Sequence, residues 1–409
     1  MKLSYFQINK VLIYFIIVLL SVRLTPVTMF FSLFSTVILW IWYFYFPRSS
    51  KSLIANISIW LLIGLFVINL IKMIFWGQYQ DLTLKEIIFN YGGFLLILLA
   101  YPTSEILKVD KKNFLNNINR LGISIIILKI LSWILYNFMH LDMGFSLLAG
   151  RIDWTRSIGG KSLSRINGTF LDGFLFAYAF SKVLSSKEGK NKKILYLAEL
   201  ILLIGYSYFI FQSRAQLTFY VVCLVIGLLY WGWNKQYKLF SFFLMIILLI
   251  SIAYIFKGAI DNFIGSFSIN SEHGRSTLIR FNEYDFFKNL WVSDKLLGFG
   301  FSIDNMGIYQ GDYMYRSDMG ILMQLYQFGI IGLIISLLPF VIGIIKSIKE
   351  LRKKNNTYSL FFFIFNVYLI ISFINFDVYM YNLIPIMFIY LAMILEKDRL
   401  NESNKELFI

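Results

Sequence analysis

Polar and apolar residues do not alternate along this chain with any short period. Apolar positions come in long runs, near 8–22, 27–46, 52–76, 84–101, 118–140, 170–186, 194–212, 215–233, 238–256, 318–345, 357–375 and 378–395. About 20 apolar residues wound as a helix cover roughly 30 Å of hydrocarbon. A helix also satisfies its own backbone N–H and C=O groups, which lipid cannot do. The pattern predicts an all-α, polytopic integral membrane protein with about twelve transmembrane helices, the first and sixth being the shortest. Two longer segments interrupt the rhythm, near 141–169 and 257–317. Loops of such length are usually functional or unstructured. These carry aromatics, glycines and mixed charge, so they are expected to be ordered and partly helical. Ser276 to Trp291 interleaves apolar and charged residues, a composition suited to a helix lying in the membrane interface. No Pro- or Ser-rich linker divides the chain, so residues 1–409 are expected to form one domain.

Charge sets the expected orientation. Twenty-three Lys and Arg residues fall in the segments on the N-terminal side of the membrane, against three (Arg23, Lys85 and Arg214) in the short loops of the other side. The positive-inside rule then puts both termini in the cytoplasm and both long loops outside, in a multi-pass protein of the plasma (inner) membrane. Composition agrees: 58% of residues are hydrophobic and 15% charged, too little charge to cover a soluble chain of this length. The net charge of +15 would suit a nucleic-acid partner, but its place in short inter-helix loops gives it a topological role, and no nucleic acid is expected. One cysteine, Cys223, and two histidines exclude a disulfide framework and a His/Cys metal cluster. No metal and no cofactor are expected. The first apolar run leads into the second without a small-residue cleavage site, so it is expected to remain as a span.

The outer loops carry arginines that topology does not require. The first long loop holds Arg151, Arg156 and Arg165; the tight turn Gln212-Ser213-Arg214-Ala215 adds Arg214; the second long loop adds Glu272-His273-Gly274-Arg275 and then Arg280. A guanidinium binds phosphate and carboxylate in a bidentate fork and stays charged when partly desolvated. Arg165, Arg214, Arg275 and Arg280 beside a bilayer therefore point to a pyrophosphate or polyanionic sugar held at the lipid surface. Arg151 and Arg156 are assigned instead to local acids or lipid headgroups. His273 is a candidate general base for a sugar hydroxyl, with Glu272, Glu283 and Asp318 as rivals. Lys129 lies near the middle of an apolar helix, where an unpaired ammonium is costly. That position predicts a functional site or a buried pair with Glu199 or Asp377. Gly298-Phe299-Gly300 has the letters of a dinucleotide motif but neither the strand nor the helix of one, and reads as a sharp turn. There is no Walker A, HExxH or GxSxG, so nothing points to ATP hydrolysis or proteolysis.

These outer-face residues, in this order, resemble the O-antigen polymerase and ligase superfamily. The resemblance rests on His273-Gly274-Arg275, on Leu297-Gly298-Phe299-Gly300-Phe301, on Asp318, and on Gln327-Phe328-Gly329-Ile330-Ile331-Gly332. Arg165-Ile166-Asn167-Gly168 looks like the arginine motif of the family's other large loop, and Ser213-Arg214-Ala215 like its short Ser-Arg-Ala turn. The resemblance spans Arg165 to Gly332 and implies a metal-independent, inverting glycosyl transfer from an undecaprenyl-pyrophosphate-linked oligosaccharide on the outer face of the membrane. Partners implied are that lipid-linked substrate, a flippase and a chain-length regulator. Ligases of the superfamily often carry a His-Asn pair before the helix that follows the second loop. Here Tyr315-Arg316-Ser317-Asp318 stands in that place, which favours polymerase over ligase. The rival from another class is a flippase or transporter of the same lipid-linked sugars. Transporters show repeated halves, broken helices and charge at the bilayer midplane. The sequence has no evident internal repeat, and its informative charge, Lys129 excepted, lies in the outer loops.

Overall fold

The computed structural model describes residues 5–22, 27–45, 51–76, 86, 91–149, 155–158, 161–168, 171–185, 187–233, 274–302, 305–315, 319–354, 357–379 and 384–396, with isolated positions between 239 and 268. Most of these are helical. In chain order they form α1 (Tyr5–Val22), α2 (Val27–Tyr45), α3 (Leu53–Trp76), α4 (Gly93–Leu96), α5 (Ala100–Met139), α6 (Phe145–Ala149) and α7 (Asp172–Leu184). Then follow α8 (Lys190–Gly205), continued by a π turn at Tyr206–Ile210, α9 (Arg214–Trp233), α10 (Gly274–Trp291), α11 (Ile321–Lys354), α12 (Thr357–Asn375) and α13 (Ile384–Leu395).

Among the described residues, six helical stretches are long and apolar enough to cross a membrane: Leu53–Phe75, Phe94–Met139, Lys190–Ile210, Arg214–Gly232, Ile321–Arg352 and Thr357–Asn375. Shorter apolar helices run over Phe6–Val22, Phe30–Phe44 and Ile386–Leu395. Many outward side chains are bulky and apolar, among them Phe34, Phe75 and Ile201, each more than 60% exposed. Apolar surface on this scale needs hydrocarbon around it. The chain is a helical, membrane-embedded protein.

The six spans are fewer than the twelve runs for definable reasons. The run at 238–256 falls mostly outside the described residues, as does the start of the run at 84–101. The sixth run becomes α7, only 13 residues long. The expected loop between the runs at 84–101 and 118–140 is helical instead: α5 continues for 40 residues, broken at Asp110 alone, where φ is −142° and ψ is 50°.

Side-chain contacts define two ends of the bundle. At one, Lys10 pairs with Asp110, Lys51 with Glu105 at 2.7 Å, and Lys111 with Glu396 at 2.6 Å. There too Lys346 donates to the Met393 carbonyl at 2.7 Å and Lys182 pairs with Glu188 at 2.8 Å. This is the lysine end. Burial acts to raise the Glu188 carboxyl, but the hydrogen bond from Lys182 outweighs it and holds the group below the ordinary range. At the other end lie the long loops, tied to α3, α5 and α11 as described below. Between the ends, α9 and α12 run antiparallel, with Tyr230 5.4 Å from Phe363 near one end and Phe219 edge-on to Phe376 at 6.0 Å near the other. Aromatic contacts fill much of this core, as with Phe176 stacked on Tyr220 at 4.3 Å. Each such pair is worth about 0.5–1.5 kcal/mol beyond its buried area.

The two long loops are ordered where described and partly helical, as expected, but each also carries a β-hairpin that the sequence reading did not include. β1 (Thr155–Ile158) pairs antiparallel with β2 (Lys161–Ser164). β3 (Asn305–Tyr309) pairs with β4 (Asp312–Tyr315), and the two residues between them, Gln310 and Gly311, have φ of 50° and 85°. Positive φ at both central positions is the type I′ geometry that matches the twist of a tight hairpin. The expected interfacial helix is α10, starting two residues before the predicted position.

Candidate functional site

The Arg165 motif is held by one stripe of α5. Lys129, Trp133 and Asn137 follow one another at a spacing of four, which stacks them on a single helical face. Lys129 Nζ donates to the carbonyls of Asn167 and Gly168, at 3.0 and 3.2 Å. Trp133 Nε1 donates to the Ser164 carbonyl at 2.7 Å, and Asn137 exchanges two hydrogen bonds with Ser164. Tyr206 Oη, from the π turn, donates to the Asn167 carbonyl at 2.7 Å. Lys129 is fully buried, and these carbonyls offset part of what a buried ammonium loses in hydration. The proposed acidic partners are engaged elsewhere. Glu199 accepts from Asn119 at 3.0 Å, ten residues from Lys129 on the same helix, a distance of about 15 Å. Asp377 accepts from Gln324 at 2.8 Å.

Arg165 itself is buried, with its guanidinium carbon 5.6 Å from the centre of the Phe211 ring. The Ile166 N–H donates to the Ile210 carbonyl at 3.3 Å. The first loop's arginine motif therefore sits against the turn that carries Arg214. That turn reverses through Gln212, whose φ is 53°. Ser213 Oγ then accepts from the Gln216 N–H at 3.3 Å, capping α9 in the manner expected of a serine at a helix start. Arg214 opens α9 and is partly exposed. Arg280, one helical turn before Glu283 on α10, lies close enough that its charge and that of Arg214 repel. Arginines from two distant stretches of sequence thus come within electrostatic reach of each other. Arg275 is in the first turn of α10, and its backbone alone is described.

The second loop is stitched into the bundle by backbone pairing. α11 is not continuous: Gly329 has φ 66° and ψ −169° in its interior. The break frees peptide groups on both sides, and the loop takes them. Phe299 and Gly300 N–H donate to the carbonyls of Tyr326 and Gln327, at 3.0 and 2.7 Å. Ile330 and Ile331 N–H donate to the carbonyls of Lys295 and Leu296, at 3.1 and 3.3 Å. A Cβ on Gly329 would lie 2.1 Å from the Leu296 carbonyl oxygen, and one on Gly298 would lie 2.4 Å from the Gln327 backbone. Both positions also need positive φ, so glycine is required twice over. Lys72 of α3 closes the joint, with Nζ 2.7 Å from Asp294 and 2.5 Å from the Gly298 carbonyl. Burial acts to raise the Asp294 carboxyl, but hydrogen bonds from Lys72 and the Leu297 N–H outweigh it and hold the group below the ordinary range. Deeper in, Tyr91 Oη accepts from the Ser302 N–H at 2.7 Å and from Gln327 Nε2 at 2.6 Å.

Of the residues singled out from the sequence, Arg165, Arg214 and Arg280 are brought toward one place. Glu283 is fully buried, and its Oε1 accepts from the Tyr315 N–H at 3.0 Å, fastening β4 to α10. Glu272, His273 and Asp318 lie outside the described residues. Sequence reasoning passed over Lys72, Asp294 and Tyr91, and gave Gln327 no role of its own. The available signal was Lys72, a cation in the last turns of an otherwise apolar helix facing a long loop. Among the described residues no group of three or more His, Cys, Asp or Glu side chains is gathered as a metal site would need. Compared with known proteins, the chain matches no family model and no curated sequence.

Proposed function

We propose that the protein polymerises oligosaccharide repeat units carried on undecaprenyl pyrophosphate into a surface polysaccharide such as a capsule, O-antigen or exopolysaccharide. In this reading the chain crosses the plasma membrane about twelve times, with both termini in the cytoplasm and the loop end outside. The observation that carries the reading is that Arg214 and Arg280 lie within electrostatic reach of one another, with the Arg165 motif packed against the turn that carries Arg214. Like charges held together raise the local concentration of anions, and paired guanidinium groups suit a pyrophosphate. Arg214 and Arg280 would neutralise the leaving undecaprenyl pyrophosphate, joined by Arg275, while Arg165 holds the turn in place. A sugar hydroxyl of the next lipid-linked unit attacks the anomeric carbon of the growing chain, and the C–O bond to pyrophosphate breaks. His273, or a nearby acid among Glu272 and Asp318, takes the hydroxyl proton. An O-antigen-type ligase would use the same leaving group with a different acceptor.

The break in α11 favours the transporter as the second reading, since discontinuous helices mark transporter sites. Against it, both sides of the break bind loop backbone, which leaves those peptide groups committed to a structural joint. One experiment separates the two. Purified protein in liposomes with lipid-linked repeat units and a chelator should yield a ladder of products on a gel. Arg214→Lys should be impaired because it loses the bidentate fork, and Arg214→Ala should accumulate single units. His273→Gln should slow turnover by roughly 10²–10⁴-fold if it is the base. Wild-type protein that moves the lipid across the bilayer without lengthening any chain would replace the polymerase with a transporter.

A further inference from the structure

The lysine end contains a cavity of about 260 Å³ lined by Lys111, Lys112, Tyr178, Lys182, Lys187 and Phe361, among others. Three separate parts of the chain build it: the helix just after the Asp110 break, the end of α7 with its following turn, and the start of α12. The positive-inside pattern accounts for lysines at this end, but not for four of them around one hollow with apolar walls. Their neighbours divide them into two pairs. Lys182 is held by Glu188 at 2.8 Å, and Lys111 by Glu396 at 2.6 Å while its Nζ sits 3.9 Å from the centre of the Tyr358 ring. Lys112 and Lys187 are exposed, and among the described residues neither enters an ion pair. The Lys112 charge reaches Glu188, as does that of Lys192. The carboxylates of Glu199 and Glu350 act on Tyr178 and Tyr358 from behind the wall, while the lining itself has four lysines and no acid.

We propose that this cavity binds the headgroup of an anionic phospholipid from the leaflet at the lysine end. The phosphodiester would sit between Lys112 and Lys187, and the start of the acyl chains would lie along Leu115, Tyr178 and Phe361. Charge and polarity together select this occupant. Basic pockets between transmembrane helices suit anionic lipid headgroups, whereas a free inorganic anion gains nothing from apolar walls. The volume is slightly below the roughly 300 Å³ at which small-molecule pockets begin, which fits a headgroup rather than a whole lipid. The site is at the opposite end of the bundle from Arg214 and is independent of the polymerase reading.

The test uses the full-length protein in detergent, exchanged against phosphatidylglycerol or phosphatidylcholine, with bound lipid counted by native mass spectrometry. Wild type is expected to retain phosphatidylglycerol in preference to phosphatidylcholine. Lys112→Gln with Lys187→Gln should weaken retention by about 30-fold, near five-fold for each lysine. Lys349→Gln, outside the cavity, should leave it unchanged. Because Lys112 and Lys187 are exposed, the double variant should fold, which its melting temperature in phosphatidylcholine verifies. Equal retention by the double variant and wild type overturns the proposal. So does displacement of the lipid by inorganic phosphate at matched concentration, which would make the site one for a free anion.

Discussion

Two buried ammonium groups mark where the loops join the bundle. Lys129 and Lys72 both lie on helices that are otherwise apolar, and both reach the backbone carbonyls of a loop. Neither serves topology; each replaces lost hydration with carbonyl oxygens that a loop presents and a helix cannot. Lys72 also has the Asp294 carboxylate beside it, and this makes its joint sensitive to acid. The Asp294 carboxyl titrates below its ordinary value in the folded protein. Its contribution is therefore complete at neutral pH. It declines once the pH drops below the ordinary carboxylate value of about 4, and is lost as the pH falls through the lowered folded value. Asp294→Asn should lower stability at neutral pH by roughly 1–2 kcal/mol, since the pair is only partly shielded from water. Melting curves of both proteins from about pH 7 to pH 3 should converge toward acid. Parallel curves across that range would mean that the ion pair contributes nothing.

At the scale of elements, the instructive case is α11. Its apolar run reads as one helix, with Gly329 inside it as part of a glycine motif. The structure uses that glycine to break the helix and lay Lys295–Gly300 across the gap. The motifs Leu297-Gly298-Phe299-Gly300-Phe301 and Gln327-Phe328-Gly329, noted separately in sequence, are thus two halves of one joint. Gly329→Ala forces a clash with the Leu296 carbonyl and a strained backbone costing about 1–3 kcal/mol before the clash is counted. We expect the variant to melt lower and to become cleavable by protease within 294–302, with the rest of the bundle protected. Uniform loss of protection along the chain would show instead that the loop and bundle unfold as one unit. The hairpins escaped the sequence reading because strands of four or five residues leave too little alternation to register. Gly159-Gly160 and Gln310-Gly311 were their only local signals.

For the whole molecule, the grouping of lysines at one end and loops at the other invites a test of sidedness. With Cys223 replaced, Ser157→Cys and Ser268→Cys should react with an impermeant thiol reagent in intact cells, and Ser186→Cys should not. Labelling of position 186 alone would invert the proposed orientation and put the Arg214 and Arg280 cluster in the cytoplasm. Cys223 is buried in the described structure, so its replacement is a precaution against background.

The sequence by itself determined the solvent of this protein, its helical class and the uneven distribution of its positive charge. These follow from local composition: a stretch of apolar residues long enough to span hydrocarbon has few alternatives to a helix. The order of the arginine and glycine motifs was legible too, because motifs are contiguous in the chain. Tertiary structure alone decided which of them meet. Arg214 and Arg280 lie 66 positions apart, and Lys72 and Gly298 lie 226 apart. No periodicity reports a contact between such distant residues, because it depends on how helices pack and where a helix breaks. The cavity at the lysine end is of the same kind. Each lysine reads alone as a topological anchor, and only the meeting of three chain segments turns four of them into the wall of a pocket.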